Sequence, residues 1–227
     1  MLVVSPATST LVLVDGSAAS EPFTATWIDS SGSASDVTAE TVFTTGEPLG
    51  TFAGAMLTAA SAGDLPIIAT YEAGSNTLFG SADVTVKLQG ARVDPSLDPN
   101  TPSLFTGATE DPSRVPAIVY PAVGTIMPRN IGDFEVHWTD ASSNNVFEVS
   151  LEGTYVDLRV YVPGGNGNAA AGPDASWTAF TPDEWAAAIG NASNLTYRVR
   201  GADSNMPGTV GSAPLQGVDL SNEDMNG

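Results

Sequence analysis

The sequence predicts an all-β protein made of two antiparallel sandwiches in tandem, the second interrupted by one short helix. Three observations carry this expectation. Short runs of alternating apolar and polar residues recur along the chain, Gly, Pro, Asp and Ser separate them, and 42% of the 227 residues are hydrophobic, enough for packed cores.

The first strand signal is TLVLV at 10–14. In PFTATWI, Phe23, Ala25 and Trp27 share one face while Thr24 and Thr26 take the other, which places Trp27 at the end of a core-facing strand. DSSGSASD then reads as a sandwich corner, because Gly and Ser allow turn conformations and Asp side chains bond the local backbone. The next strand is expected near Val42. Ile67, Ala69 and Tyr71 repeat the two-residue period in LPIIATY, and Val84 and Val86 repeat it in ADVTVKL. Residues 1–90 therefore form the first expected domain.

From 91 to 115 the alternation stops and Pro95, Pro99, Pro102 and Pro112 interrupt the chain, which reads as a semi-extended linker. The second domain, 116–222, resumes with AIVY, FEVHW, VFEVSL, DLRVYV, LTYRVRG and PLQGVDL. In FEVHW the period turns Phe134, Val136 and Trp138 inward and leaves Glu135 and His137 outward. The one helix is expected over 182–189. Thr181 is its N-cap, Pro182 stands at the first helical position, Asp183 and Glu184 lie near the positive end, and Gly190 marks the stop. The segments TWIDSSG and HWTDASS place Trp, Asp and Ser at matching offsets in the two halves.

Composition bounds the function. Twenty-six acids face seven bases for a formal charge of −19, and Lys87 is the only lysine. So acidic a chain repels phosphate backbones, which makes nucleic acid and anionic membrane poor partners and leaves divalent cations and basic proteins compatible; no nucleic acid and no membrane insertion are expected. The absence of cysteine removes disulfides, thiolate chemistry and Cys-type zinc sites. No run reaches the ~18 apolar residues of a membrane span, and no signal peptide follows Met1. The sequence reads as a segment of a larger protein, with Met1 added.

The first ninety residues resemble the bacterial Ig-like domain of group 2. The residues that carry this are TLVLVDGS, FTATWIDSSGSASDVT, GTFAGAMLTAASAGDLPIIATY and ADVTVKL. The second half resembles a fibronectin-III-like domain of large secreted bacterial proteins, through IVYPAVGTIMPRNIGDFEVHW, VFEVSLEGTYVDLRVYV and YRVRG. The resemblance implies tandem Ig-like sandwiches in an extracellular or cell-surface protein, spacing or presenting other domains without catalysis.

The residues themselves offer little chemistry. His137 is the sole histidine, its strand phase points it outward, and no nucleophile elbow accompanies it. Glycoside hydrolysis needs two converging acids in a cleft, which small sandwiches rarely provide. Asp94, Asp98, Asn100, Glu110 and Asp111 crowd the linker and are the candidate calcium ligands, as hard oxygen donors on a loop. The alternative reading makes them solvated turn residues. Trp177 and Tyr155 are the candidate carbohydrate-stacking residues, together with the loop at 164–176. The alternation of WTAF nevertheless favours a core position for Trp177. The expected activity is structural or adhesive and non-enzymatic, with neighbouring domains and cell-surface glycans or proteins as partners. The alternatives are a carbohydrate-binding module and an accessory part of an extracellular enzyme.

Overall fold

A computed structural model describes residues 1–165, 175–192 and 194–221. They divide into two compact units. The first holds Met1–Gln89 and Ala187–Ala192, and the second holds Gly90–Ala186 with the described residues after 193. The fold is all-β, in Ig-like sandwiches, and the described residues contain one α-helix.

The first unit comprises β1 (Leu2–Ser5), β2 (Thr8–Val14), β3 (Ala19–Pro22), β4 (Thr24–Ile28), β5 (Ala34–Asp36), β6 (Val42–Thr45), β7 (Gly50–Ala53), β8 (Met56–Ala59), β9 (Gly63–Ala73) and most of β10 (Asn76–Val93). β6, β9, β10 and β2 make one layer, in which β9 and β10 form a long hairpin pairing Ala82 with Ile67. β2 joins its edge in parallel, from Thr8 opposite Asp83 to Val14 opposite Gln89. The ladders β1–β4–β5 and β3–β8–β7 supply the other layer. Period-two burial explains the pairing: Leu65, Ile67 and Ala69 of β9 and Ala82, Val84, Val86 and Leu88 of β10 are all buried.

The centre of this core is phenylalanine, not tryptophan. Phe23, Phe43 and Phe52 pack with ring centroids 5.4 to 6.4 Å apart. Trp27, expected at the sandwich centre, is only half-buried and leans on Tyr71 at 6.0 Å. The cause is local. The corner after it is a tight hairpin in which β5 returns along β4, pairing Ser35 with Trp27 near the sheet edge. Asp29 closes that hairpin by accepting hydrogen bonds from the Ser31 and Ser33 amides and the Ser31 hydroxyl.

The second unit comprises β11 (Thr109–Glu110), β12 (Ala117–Tyr120), β13 (Ile126–Met127), β14 (Phe134–Thr139), β15 (Val146–Glu152), β16 (Val156–Pro163), β17 (Ala175–Phe180), α1 (Pro182–Ala188, whose last two residues are grouped with the first unit), β18 (Thr196–Ala202), β19 (Thr209–Ser212), β20 (Gln216–Gly217) and β21 (Asp219–Leu220). β12, β14 and β17 form one sheet, and β11, β19, β18, β15 and β16 form another. The Phe134 ring stacks on Trp185 at 4.8 Å and meets Phe180 and Tyr197, while Trp138 packs on Phe147 at 5.3 Å.

Helix α1 starts with a reciprocal cap. The Glu184 amide donates to the Thr181 hydroxyl, and the Glu184 carboxylate accepts from the Thr181 amide at 2.7 Å. Glu184 is buried and also receives Arg92 in a two-pronged bond of 2.8 and 2.9 Å. This geometry binds a charged helix start to the sheet without leaving an uncompensated carboxylate.

The stretch 91–115 is not a free linker. Phe105 is buried against Val146, Tyr161, Ala202 and Val210, and Val93, Leu97, Leu104 and Ala108 pack around the same cluster. Its prolines shape short 3-10 turns at Thr101–Leu104 and Pro112–Arg114 that lay the chain over the sheet. Such a cover needs apolar contacts at irregular intervals, so it shows no strand period.

Candidate ligand-binding surface

The five candidate calcium ligands do not converge. Asp94 accepts the Ser96 amide and hydroxyl at 2.8 and 2.6 Å, and Asp111 accepts the same groups of Ser113 at 2.9 and 2.7 Å. Asp98 accepts the amide and side-chain nitrogen of Asn100, and Glu110 accepts the Ser212 hydroxyl. Among the described residues no three His, Asp or Glu side chains are grouped so as to hold a metal ion. The acids are instead engaged singly: Asp94, Asp98 and Asp111 each close their own turn, and Glu110 reaches across to Ser212 on β19.

The same device recurs at Asp36, Asp140 and Asp203, whose carboxylates take the amide two residues on. The pattern Asp-x-Ser, Asp-x-Thr or Asp-x-Asn is the signal in the sequence that marks these acids as turn formers, and the expectation of calcium ligands did not use it. It also explains the matching offsets of TWIDSSG and HWTDASS, because Asp29 and Asp140 cap equivalent turns after a Trp-bearing strand.

These bonds have a pH consequence. The Ser96 hydroxyl, then its amide, holds the Asp94 carboxyl below its ordinary 3.8, and Ser113 does the same for Asp111. Because the folded state releases these protons more readily than the unfolded chain, their stabilisation is present above about pH 4 and is lost as pH falls below it. Ser96→Ala and Ser113→Ala are expected to lower the thermal midpoint more at pH 7 than at pH 2.5. A deficit of equal size at both pH values, read by circular dichroism melts, would contradict this.

Buried charge in the second unit forms a closed network. Glu148 on β15, 2% exposed, accepts Arg200 at 2.9 Å and the Tyr161 hydroxyl at 2.9 Å, and lies 3.5 Å from Arg159. Arg200 also donates to the Phe105 carbonyl and Ser212, with its guanidinium 5.5 Å over the Phe105 ring. Burial, then the adjacent Glu148 carboxylate, pushes the Tyr161 phenol well above its ordinary value. Every partner is already engaged, so the cluster has the form of a structural lock.

The exposed face of the β12–β14–β17 sheet is different. Tyr120 lies opposite His137, and His137 lies opposite Trp177, so the three rings form one row across three strands. Ring centroids are 5.4 Å apart for Tyr120 and His137 and 6.1 Å for His137 and Trp177. Tyr120 is 44% and Trp177 40% exposed. Glu135, two residues before His137 and on the same face, meets the imidazole Nε2 at 2.9 Å. From beneath, the Tyr197 hydroxyl donates to the Pro121 carbonyl at 2.8 Å and fixes the chain just after Tyr120. Burial, then the nearby Tyr120, pushes the Tyr197 phenol up to about 12, so this anchor stays protonated at ordinary pH.

His137 and Glu135 face outward as the period of FEVHW predicts. The core position expected for Trp177 does not hold. Register with β14 sets Ser176, Thr178 and Phe180 opposite the inward Trp138, Val136 and Phe134, which turns Trp177 to the outer face. Tyr155 is half-buried in the β15–β16 connection and is not part of the row. Of the 164–176 loop, residues 166–174 lie outside the described residues. Tyr120 was not singled out in the sequence, because its pairing with His137 depends on a register shift in β12 between Ile118 and Tyr120.

No family model matches the chain, and no curated protein matches it. Among solved structures it is similar to the S-layer protein rSbsC, at 14% identity and a TM-score of 0.30, covering 97% of this chain and 28% of that one. This chain thus spans little more than a quarter of that S-layer protein. It is also similar to the titin domains Z1Z2 in complex with telethonin, at 14% identity and a TM-score of 0.25, covering 99% and 98% of the two chains. Human protocadherin-24 EC1-2 is similar at 12% identity and a TM-score of 0.26, again covering 99% and 98%.

Proposed function

We propose that this chain is a non-enzymatic structural module of a bacterial cell-surface or secreted protein, in which a group 2 Ig-like unit and a fibronectin-III-like unit space or present neighbouring domains. The observation that carries the reading is the parallel pairing of β2 with β10. The chain enters β2 at the Thr8–Asp83 end and leaves the first unit beyond the Val14–Gln89 end. Tension applied at the two ends of the unit therefore pulls these strands in opposite senses along their length. All the hydrogen bonds between them are sheared together instead of opening one at a time, which suits a part that must transmit force. The chemical inventory agrees: among the described residues the turn-capping acids and the Glu148 and Glu184 networks use their charge to hold the fold.

Pulling the whole chain by its ends in a single-molecule force experiment tests this. Unfolding of Met1–Gln89 releases about 300 Å of chain at full extension, at roughly 3.4 Å per residue. Of two consecutive residues in β2, one directs its amide toward β10, so either Leu11→Pro or Val12→Pro removes a bond from the sheared ladder. One of these variants is expected to unfold at clearly lower force than the natural chain. Equal forces in all three would overturn the spacer reading.

A further inference from the structure

The row of Tyr120, His137 and Trp177 lies on the outer face of a sheet whose inner face is filled by Phe134, Val136, Trp138 and Phe180. We propose that this row is a binding site for a neutral glycan, with pyranose rings stacked on Tyr120 and Trp177 and their hydroxyls bonded to Glu135 and His137. The inference concerns the second unit alone and does not depend on the spacer reading.

Four features select this ligand. First, the face is mixed and not simply apolar. Large aromatic surfaces stand beside a carboxylate and an imidazole that are themselves joined at 2.9 Å and both more than 40% exposed at the side chain. A pyranose matches this, having an apolar C–H face that packs on a ring and a rim of hydroxyls that donate to a carboxylate. Second, the spacing fits an oligosaccharide. Neighbouring strands lie about 4.8 Å apart, so the outer rings are carried on strands about 10 Å apart, roughly the length of a disaccharide. Third, the row is preorganised. Its members pair in fixed cross-strand register, and the Tyr197–Pro121 bond holds the chain beside Tyr120, so the backbone that carries the rings need not be ordered on binding. Fourth, the charge excludes acidic sugars. The chain carries −19, and the one carboxylate in the row would face an anionic glycan directly. Because the rings follow one another across three strands, binding to an extended polymer lying across the strands is favoured over capture of a free monosaccharide.

Affinity electrophoresis of the whole chain in native gels tests this. The gels would contain in turn soluble cellulose ether, β-1,3-glucan, xylan stripped of acidic groups, mannan and glycol chitosan fully N-acetylated, with alginate as the acidic control. The expected result is retardation by at least one neutral polymer and none by alginate. Trp177→Ala and Tyr120→Ala are each expected to weaken that retardation by roughly tenfold, the equivalent of about 1.4 kcal/mol. Phe79→Ala, which removes the highly exposed aromatic of β10 in the first unit, is expected to leave it unchanged. Thermal melts of each variant separate lost binding from lost folding, and quenching of tryptophan fluorescence by the bound polymer provides a second readout. Retardation by none of the neutral polymers would overturn the proposal. So would retardation that persists in both ring variants, or that is lost equally in Phe79→Ala. A titration with an arginine-rich peptide completes the set. Binding of that peptide in place of the glycans, abolished by Glu135→Gln, would assign the row to a basic protein partner and sink the glycan reading.

Discussion

Replacing Gly211 by alanine is expected to destabilise the second unit by about 4 kcal/mol or more, at the extreme end of single substitutions. A methyl group on Gly211 would stand 1.9 Å from the Arg114 carbonyl oxygen, 2.1 Å from its carbon and 2.7 Å from the Val115 nitrogen. These are backbone atoms, so no rotamer change relieves the clash. Gly201, its cross-strand partner, is crowded in the same way by the Asn144 side chain. The two glycines open a slot in the β18–β19 ladder through which Arg114 and Asn144 enter. There Arg114, itself buried, donates to Asn144 and Thr209 and lies 3.8 Å from Asp203, while Asn144 returns a 2.7 Å bond to the Arg114 carbonyl. Alanine forces the segment 112–115 off the sheet and strands a buried guanidinium. Urea unfolding followed by tryptophan fluorescence would show the transition of this unit at much lower denaturant. An unchanged midpoint would mean that the slot is wider than described.

Glu148→Ala is expected to cost about 3–5 kcal/mol, the range for breaking a buried ion pair from one side. The reason is asymmetry. The carboxylate is almost fully buried and answers two guanidiniums and a phenol, so its removal leaves Arg200, 13% exposed at the side chain, without its main partner. The outer member of the same cluster gives the contrast. Asp157 pairs with Arg159 at 2.9 Å but is 52% exposed, and Asp157→Ala is expected to cost less than about 1 kcal/mol and to lose even that in high salt. Equal losses in the two variants, measured in parallel denaturant titrations, would show that burial is not what gives the network its weight.

The fold was largely legible because its strands advertise their inner faces. LPIIATY and ADVTVKL alternate, and β9 and β10 bury Ile67, Ala69, Val84 and Val86 as the alternation selects, with Tyr71 half-buried at the end of the run. The helix was legible from its ends, since Thr181, Pro182 and Glu184 make a cap whose chemistry is local. The segment 91–115 was not legible as part of a core. Phe105 and Leu104 fill gaps above a sheet whose shape is set by residues forty or more positions away, so no local period could mark them. The bonding of the acids depends on neighbours in a different way. Their number suggested a shared ion, but Ser96, Asn100 and Ser113 satisfy them one by one at short range.

The candidate site divides along the same line. His137 and Glu135 could be placed outward from the period of their own strand. Trp177 could not, because WTAF is apolar on both faces and only the pairing of Trp138 with Ser176 fixes which way it turns. Tyr120 joins the row through a shift of register in β12 that leaves no trace in composition. The sequence by itself thus determined the strands with a regular two-residue period, the helix and its cap, and the polarity of the chain, since these depend on residues within a few positions of one another. The tertiary structure alone decided which aromatic rings share a face, which charges are buried together, and which glycines must stay glycine. Those outcomes depend on contacts between segments distant in the chain, and a one-residue change of register would reverse them.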